Sequence, residues 1–153
     1  MASKRKVEKL AEHFRGAIDI AVKNNDFPLR DRMHRFPFGC CDDASDLLAF
    51  YLKQNGIETA QINGVYRDED PENITNHVWL KTQDGLIIDI TGDQFRLRPE
   101  LLNYSVPVYV GDEDALHCLF QDRRQQANFE FELNETMGQR RMFELYNIIS
   151  EYL

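Results

Sequence analysis

A chain of 153 residues, 42% hydrophobic and 29% charged, has the balance of one globular domain with a real core and is too short for two of ordinary size. Its net charge of −8 excludes electrostatic capture by phosphate backbones or anionic lipid, so neither nucleic acid nor a membrane is an expected partner. Cysteines at 40, 41 and 118 form an odd set whose two neighbours cannot easily bridge each other, and no apolar run reaches signal-peptide or membrane-spanning length; the expectation is a cytoplasmic protein folded as one domain over residues 1–153.

Taken in chain order, Val7, Leu10, Ala11, Phe14, Ala17, Ile18 and Ala21 recur at helical spacing and predict an amphipathic helix over roughly 3–24. Residues 26–38, with two prolines and several aromatic side chains, read as an ordered connection pressed against the domain. Gly39 then turns the chain before a helix over about 41–54, whose apolar face is Ala44, Leu47, Leu48, Tyr51 and Leu52 and whose end is marked by Asn55-Gly56. After that the period changes to two. IETAQINGVY, NHVWLK, LIIDIT, VPVYV and NFEFEL read as strands separated by turn residues. A last helix over about 134–153 carries Met142, Leu145, Tyr146, Ile149, Tyr152 and Leu153 on one stripe, which reads as a core face, with a homodimer surface as the alternative. The whole is an α+β pattern: helices flanking an antiparallel sheet.

The stretch FPFGCCDDAS puts two cysteines at a helix start, where unpaired backbone N–H groups and the helix dipole favour thiolate over thiol and can also hold an oxyanion. Asp42 and Asp43 oppose this unless they point away and cap the helix. A thiol nucleophile needs a base and a group that orients it. His77 opens NHVWLK, and Asp89 is a lone carboxylate in an otherwise aliphatic strand. Position on the helix does not choose between the cysteines: Cys40 lies slightly nearer the middle of the apolar face and Cys41 slightly off it. His117, in DALHCLF, could approach the same cleft, but its apolar neighbourhood reads as a packed histidine. A zinc site from Cys40, Cys41, His77 and Asp89 is conceivable by residue type, yet adjacent cysteines lack the usual ligand spacing, so no metal and no cofactor are expected. P-loop, dinucleotide-binding, HExxH and GxSxG patterns are absent.

Cysteine at a helix start, histidine on a strand and aspartate on the next strand, in that order, resemble the transglutaminase-like branch of the papain-like cysteine enzymes, which includes arylamine N-acetyltransferases and the small proteases of lasso-peptide maturation. More narrowly, FPFGCCDDAS, NHVWL and DITGDQF resemble a group of small bacterial proteins with an FPxGxCxDxS, HxWL and DITxDQF pattern; the match covers about residues 36–95. The resemblance implies a nucleophile helix packed on an antiparallel sheet, Cys41 as nucleophile, His77 as base and Asp89 as its orienting acid, with Cys40 in a variable slot. It also implies acyl transfer from a carboxamide or thioester of a protein or peptide, as a peptidase, deamidase or transglutaminase. One departure is plain: papain-like proteases carry a glutamine shortly before the cysteine to complete the oxyanion hole, and here Arg35, Phe36, Pro37 and Phe38 stand there. The competing reading is a catalytically inactive protein-binding module of the same fold.

Strand parity sets a geometric condition. With a two-residue Asp84-Gly85 turn, Asp89 would fall opposite Leu80 and point away from His77. With a three-residue Gln83-Asp84-Gly85 loop ending in a left-handed glycine, Thr82 pairs with Leu86, Asp89 falls opposite Trp79, and Asp89 becomes the diagonal neighbour of His77. That register also gathers Val78, Leu80, Ile88 and Ile90 on one apolar face, so the longer loop, positive φ at Gly85 and a His77–Asp89 hydrogen bond are predicted.

Overall fold

The computed structural model of the chain describes residues 2–153. Helix α1 spans Lys4–Lys23 and is capped by the Ser3 side chain, which accepts from the Lys6 N–H at 3.2 Å. Its apolar positions Val7, Ala11, Phe14, Ala17, Ile18 and Ala21 are all buried, as their spacing requires. Helix α2 spans Cys41–Gln54 and closes on Asn55 and Gly56, the latter at φ +81°. Helix α3 spans Met137–Ser150 behind a capping box in which Thr136 and Gln139 satisfy each other's backbone N–H groups. It starts three residues later than its stripe suggests, and it buries Met142, Leu145 and Ile149 against the chain's own core. Among the described residues no helix is long and apolar enough to cross a membrane.

Five strands, β1 Thr59–Arg67, β2 Ile74–Thr82, β3 Ile87–Asp89, β4 Tyr109–Gly111 and β5 Gln121–Gln126, form one antiparallel sheet in the order β4-β3-β2-β1-β5. The architecture is therefore α+β. All three helices contribute to a core on one face, where Phe14, Leu47, Leu48, Leu52 and Met142 meet Leu80 and Ile88 of the sheet and Ile90 just past it. On the other face Trp79, Ile62 and Ile87 pack with Phe95, Leu101, Leu116 and Phe120, which come from the short 3₁₀ turns and loops around β4. Burial on both faces explains why the central strand β2 reads as a nearly unbroken apolar run around Trp79.

The hairpin between β2 and β3 takes the longer loop. Leu80 pairs with Ile88 and Lys81 with Ile87, a register that sets Trp79 opposite Asp89. Gly85 lies at φ +94°, its N–H bonds the Thr82 carbonyl at 3.0 Å, and the Thr82 N–H bonds the Leu86 carbonyl at 2.9 Å. Only a residue without Cβ adopts that φ at low cost, so the glycine fixes the loop length and, through it, the face on which Asp89 emerges.

One strand is misplaced by sequence pattern. NFEFEL is not a strand: Phe131 drops into the helical core beside Phe50, at 4.8 Å between ring centroids. The fifth strand is instead QDRRQQ, whose six side chains are all exposed. An edge strand wet on both faces needs no apolar alternation, because its backbone bonds to β1 are what hold it. LIIDIT and VPVYV likewise supply only three-residue strands, the chain bending away at Ile90 and at Asp112.

A buried arginine secures that bend. Arg15, on the flank of the α1 stripe, donates to both carboxylate oxygens of Asp93 at 2.9 Å, to the Ile90 carbonyl at 2.8 Å and to the Pro107 carbonyl at 3.0 Å, and stacks over Phe36. It thereby ties α1 to the segment that follows Asp89. Arg15→Met should lower unfolding free energy by about 3–5 kcal/mol, since Asp93 and two carbonyls lose their partner. Denaturant titration checks this, and loss below about 1 kcal/mol would show that the bend holds without the arginine.

Candidate active site

Gly39, at φ +68°, turns the chain so that Cys40 occupies the N-cap and Cys41 the first turn of α2. The two sulfurs then meet opposite environments. Cys40 is 1% exposed, and its thiol donates to the Phe38 carbonyl at 3.1 Å and the Arg32 carbonyl at 3.3 Å. Burial, with the charges of Asp43 and Cys41 behind it, pushes the Cys40 thiol up to about 12. Such a sulfur is a protonated packing group. Cys41 is half-buried and stands near enough to His77 to help hold that ring charged.

The N-terminus of α2 keeps its donors. Cys40 provides no side-chain cap, and the first helical bond runs from the Ala44 N–H to the Cys40 carbonyl at 2.8 Å. The N–H groups of the first turn therefore remain available to a bound oxygen. Of the two acids beside the sulfur, Asp43 is gripped by Arg32 and by Arg141 of α3; burial opposes its charge, but the two guanidinium groups hold its carboxyl below the usual range. Asp42 accepts from the Gln61 amide at 2.9 Å, and Gln61 also reaches Asp46 at 3.2 Å. Burial pushes Asp46 up to about 7, against a backbone bond from Phe129.

His77 is fully buried, 0% exposed, with Phe95 at its ring edge and Trp79 and Phe120 alongside. Its Nε2 lies 2.6 Å from Asp89 Oδ2, while its Nδ1 has the Gln94 amide nitrogen at 3.5 Å. Burial alone would strip the ring of its proton. The Asp89 charge and hydrogen bond, joined by Cys41, outweigh it and raise His77 to about 10. Asp89, 2% exposed, accepts at Oδ1 from the Thr91 N–H at 2.9 Å and hydroxyl at 3.3 Å. Although burial works against its ionisation, the two imidazoles around it hold the carboxyl well below the usual carboxylate range.

The second imidazole is His117, which the apolar pattern around it disguised as a packing residue. Its Nε2 lies 2.8 Å from the same Asp89 oxygen, and its Nδ1 lies 2.5 Å from Asp114 Oδ1. Gln94 is the other residue that sequence reasoning passed over. It stands in DITGDQF, the stretch quoted for its resemblance, and its carboxamide donates to the Thr91 carbonyl at 3.0 Å while facing His77. Cys41, His77 and Asp89 are thus brought together. Cys40 is turned into the core, and Cys118 lies exposed with its thiol on the Ala115 carbonyl.

His77, Asp89 and His117 have the residue types of a metal site, and the nearest ligating atoms lie within 4.8 Å of one another. Two ligands on one zinc at ~2.1 Å would stand roughly 3.4 Å apart. Here both imidazole nitrogens sit at 2.6 and 2.8 Å from one shared carboxylate oxygen, which is the spacing of hydrogen bonds. We assign the cluster as a hydrogen-bonded one.

No curated protein and no solved structure matches the chain. The family model of the transglutaminase-like superfamily matches residues 1–85, a span that takes in α1, the Cys41 turn at the start of α2 and the strand of His77, and ends at Gly85. Since that is more than half of the chain, and members of the superfamily are generally cysteine enzymes, the chain belongs to the transglutaminase-like superfamily.

Proposed function

We propose that the protein is a cysteine-dependent acyl-transfer enzyme acting on a carboxamide or thioester carbonyl of a protein or peptide. The observation that carries this reading is the buried His77–Asp89 hydrogen bond at 2.6 Å, with Cys41 near the ring and the helix N–H groups free beside the sulfur. His77 takes the thiol proton at Nδ1, and its Nε2–H stays on Asp89, which fixes the tautomer. The sulfur attacks the carbonyl carbon. The resulting oxyanion is met by the first-turn N–H groups of α2 and by the Gln94 amide, which stands in for the glutamine missing upstream of the cysteine. His77 then returns the proton to the departing amine or thiol, leaving a thioester on Cys41 that water or an amine resolves.

A binding module of the same fold would need none of these polar groups aligned, and Asp89 would be a costly residue to bury for packing alone. The discriminating experiment is hydrolysis of an activated aryl ester with single-turnover detection of the acyl-enzyme by mass. Cys41→Ala should abolish acylation with stability changed by less than about 1 kcal/mol. Cys40→Ala should retain acylation but lose stability, since it empties a buried site and two carbonyls lose a donor. Acylation surviving in Cys41→Ala and lost in Cys40→Ala would move the nucleophile to Cys40.

His77→Ala and Asp89→Asn should slow iodoacetamide alkylation of Cys41 unequally. Loss of the base is expected to cost about 10²–10³-fold, and the amide at 89 less, because the ring stays partly oriented. Undiminished alkylation in both variants would mean that the thiol reacts without the pair. Because the folded value of His77 is raised from 6.5 to about 10, its ionisation contributes stability that is full below about pH 6.5 and is lost as pH rises through about 10; His77→Ala should erase that alkaline loss.

A further inference from the structure

His117 joins two carboxylates. Its Nε2 is 2.8 Å from Asp89 Oδ2, its Nδ1 is 2.5 Å from Asp114 Oδ1, and it is 0% exposed. A neutral imidazole has one N–H, so it could satisfy one of these oxygens and would turn a lone pair on the other. Neither carboxylate has the surroundings of a neutral acid. Asp89 accepts from His77 and twice from Thr91, and Asp114 accepts from the His117 backbone N–H at 2.9 Å and from the Tyr104 hydroxyl at 2.9 Å. The proton must therefore be on the ring. We propose that His117 is a positioning residue, a standing imidazolium that shares Asp89 with His77 and so limits how strongly Asp89 holds the catalytic ring.

The electrostatics follow from the geometry. Asp89 facing His77 alone would place one full negative charge in an apolar pocket against the base, making His77 a strong base but a reluctant acid. The mechanism requires both acts from the same ring. With His117 charged on the far side, the field of Asp89 at His77 is partly cancelled across a ring-to-ring distance of 6.1 Å. The other charged and titratable groups around His117 fit this arrangement. Tyr109 stacks on the ring at 5.6 Å, Tyr104 meets it edge-on, and Arg123 donates to the His117 carbonyl at 2.6 Å while paired to Glu113 on its outer side. Asp114 and Asp89 together keep His117 charged in spite of its burial, and Tyr104 keeps Asp114 oriented. The chain of contacts thus runs from Tyr104 through Asp114, His117, Asp89 and His77 to Cys41.

The inference deepens the acyl-transfer reading and rests on it for its purpose, but its test observes the two imidazoles directly. Nitrogen-15 NMR of the unmodified chain should find both nitrogens of His117 protonated throughout the neutral range. In the Cys41→Ser background, where the sulfur no longer titrates, His117→Gln keeps a hydrogen-bond donor for Asp89 but removes the charge. It should raise the titration midpoint of His77 by on the order of one pH unit. A merely structural His117 would leave that midpoint in place, whatever its effect on folding. A singly protonated His117 at neutral pH, or an unmoved His77 midpoint, overturns the proposal, and the first readout stands even if the variant fails to fold. Failure of the acyl-transfer reading shows elsewhere, as a Cys41 that is not acylated in the unmodified chain.

Discussion

The buried carboxylate of Asp89 governs the arrangement of the site. It sits almost out of solvent with one oxygen held by Thr91 and the other shared by two imidazoles. An ionised acid in that position is tolerable only if its lone pairs are all met, and each donor that meets them is fixed by a different part of the fold. Thr91 comes from the turn after β3, His77 from β2 and His117 from the 3₁₀ turn after β4. Misplacing any one of these elements would leave charge buried without a partner, so the same interaction that orients the His77 ring also selects the register in which the sheet closes.

That register is in turn set far from the chemistry. Gly85 in the left-handed conformation lengthens the β2–β3 loop by one residue, and with it Asp89 emerges on the face of His77 while Leu80, Ile88 and Ile90 go to the helical core. On the opposite side of the sheet, α2 packs across β1 and β2 and carries its first turn to His77. Arg15 completes the frame by clamping the Ile90 carbonyl and Asp93, immediately past Asp89. Asp43, held by Arg32 and Arg141, anchors the start of α2 to the neighbouring turn and to α3. The site thus has rigid supports at both ends of the Cys41–His77–Asp89 sequence.

Much of this can be read from the chain because the relevant signals are local. Helical periodicity and caps locate α1 and α2 to within a residue, and strand parity together with one glycine decides the face of Asp89. The features that escape are those whose reasons lie in distant partners. Arg15 looks like a surface residue on a helix flank until the carbonyls at 90 and 107 come beneath it. His117 reads as packing because the residues beside it are apolar, whereas its two carboxylate partners are 28 residues away at Asp89 and one turn back at Asp114. Strand β5 carries no alternation because water lies on both its sides, and NFEFEL carries alternation without being a strand because Phe131 fills a gap between α2 and α3. Choosing Cys41 over Cys40 from sequence depends on a resemblance, since the helix turn that separates a buried thiol from a half-buried one is finer than a helical wheel resolves.

Activation of Cys41 by its neighbours, as distinct from mere accessibility, has an internal control in Cys118, which is the more exposed thiol. Limiting iodoacetamide at neutral pH, followed by peptide mass spectrometry, lets the three thiols compete within one folded molecule. An activated Cys41 should be labelled first and nearly alone, with Cys118 following slowly and Cys40 protected until the protein unfolds. Labelling that follows exposure, with Cys118 ahead of Cys41, would mean that Cys41 is not activated.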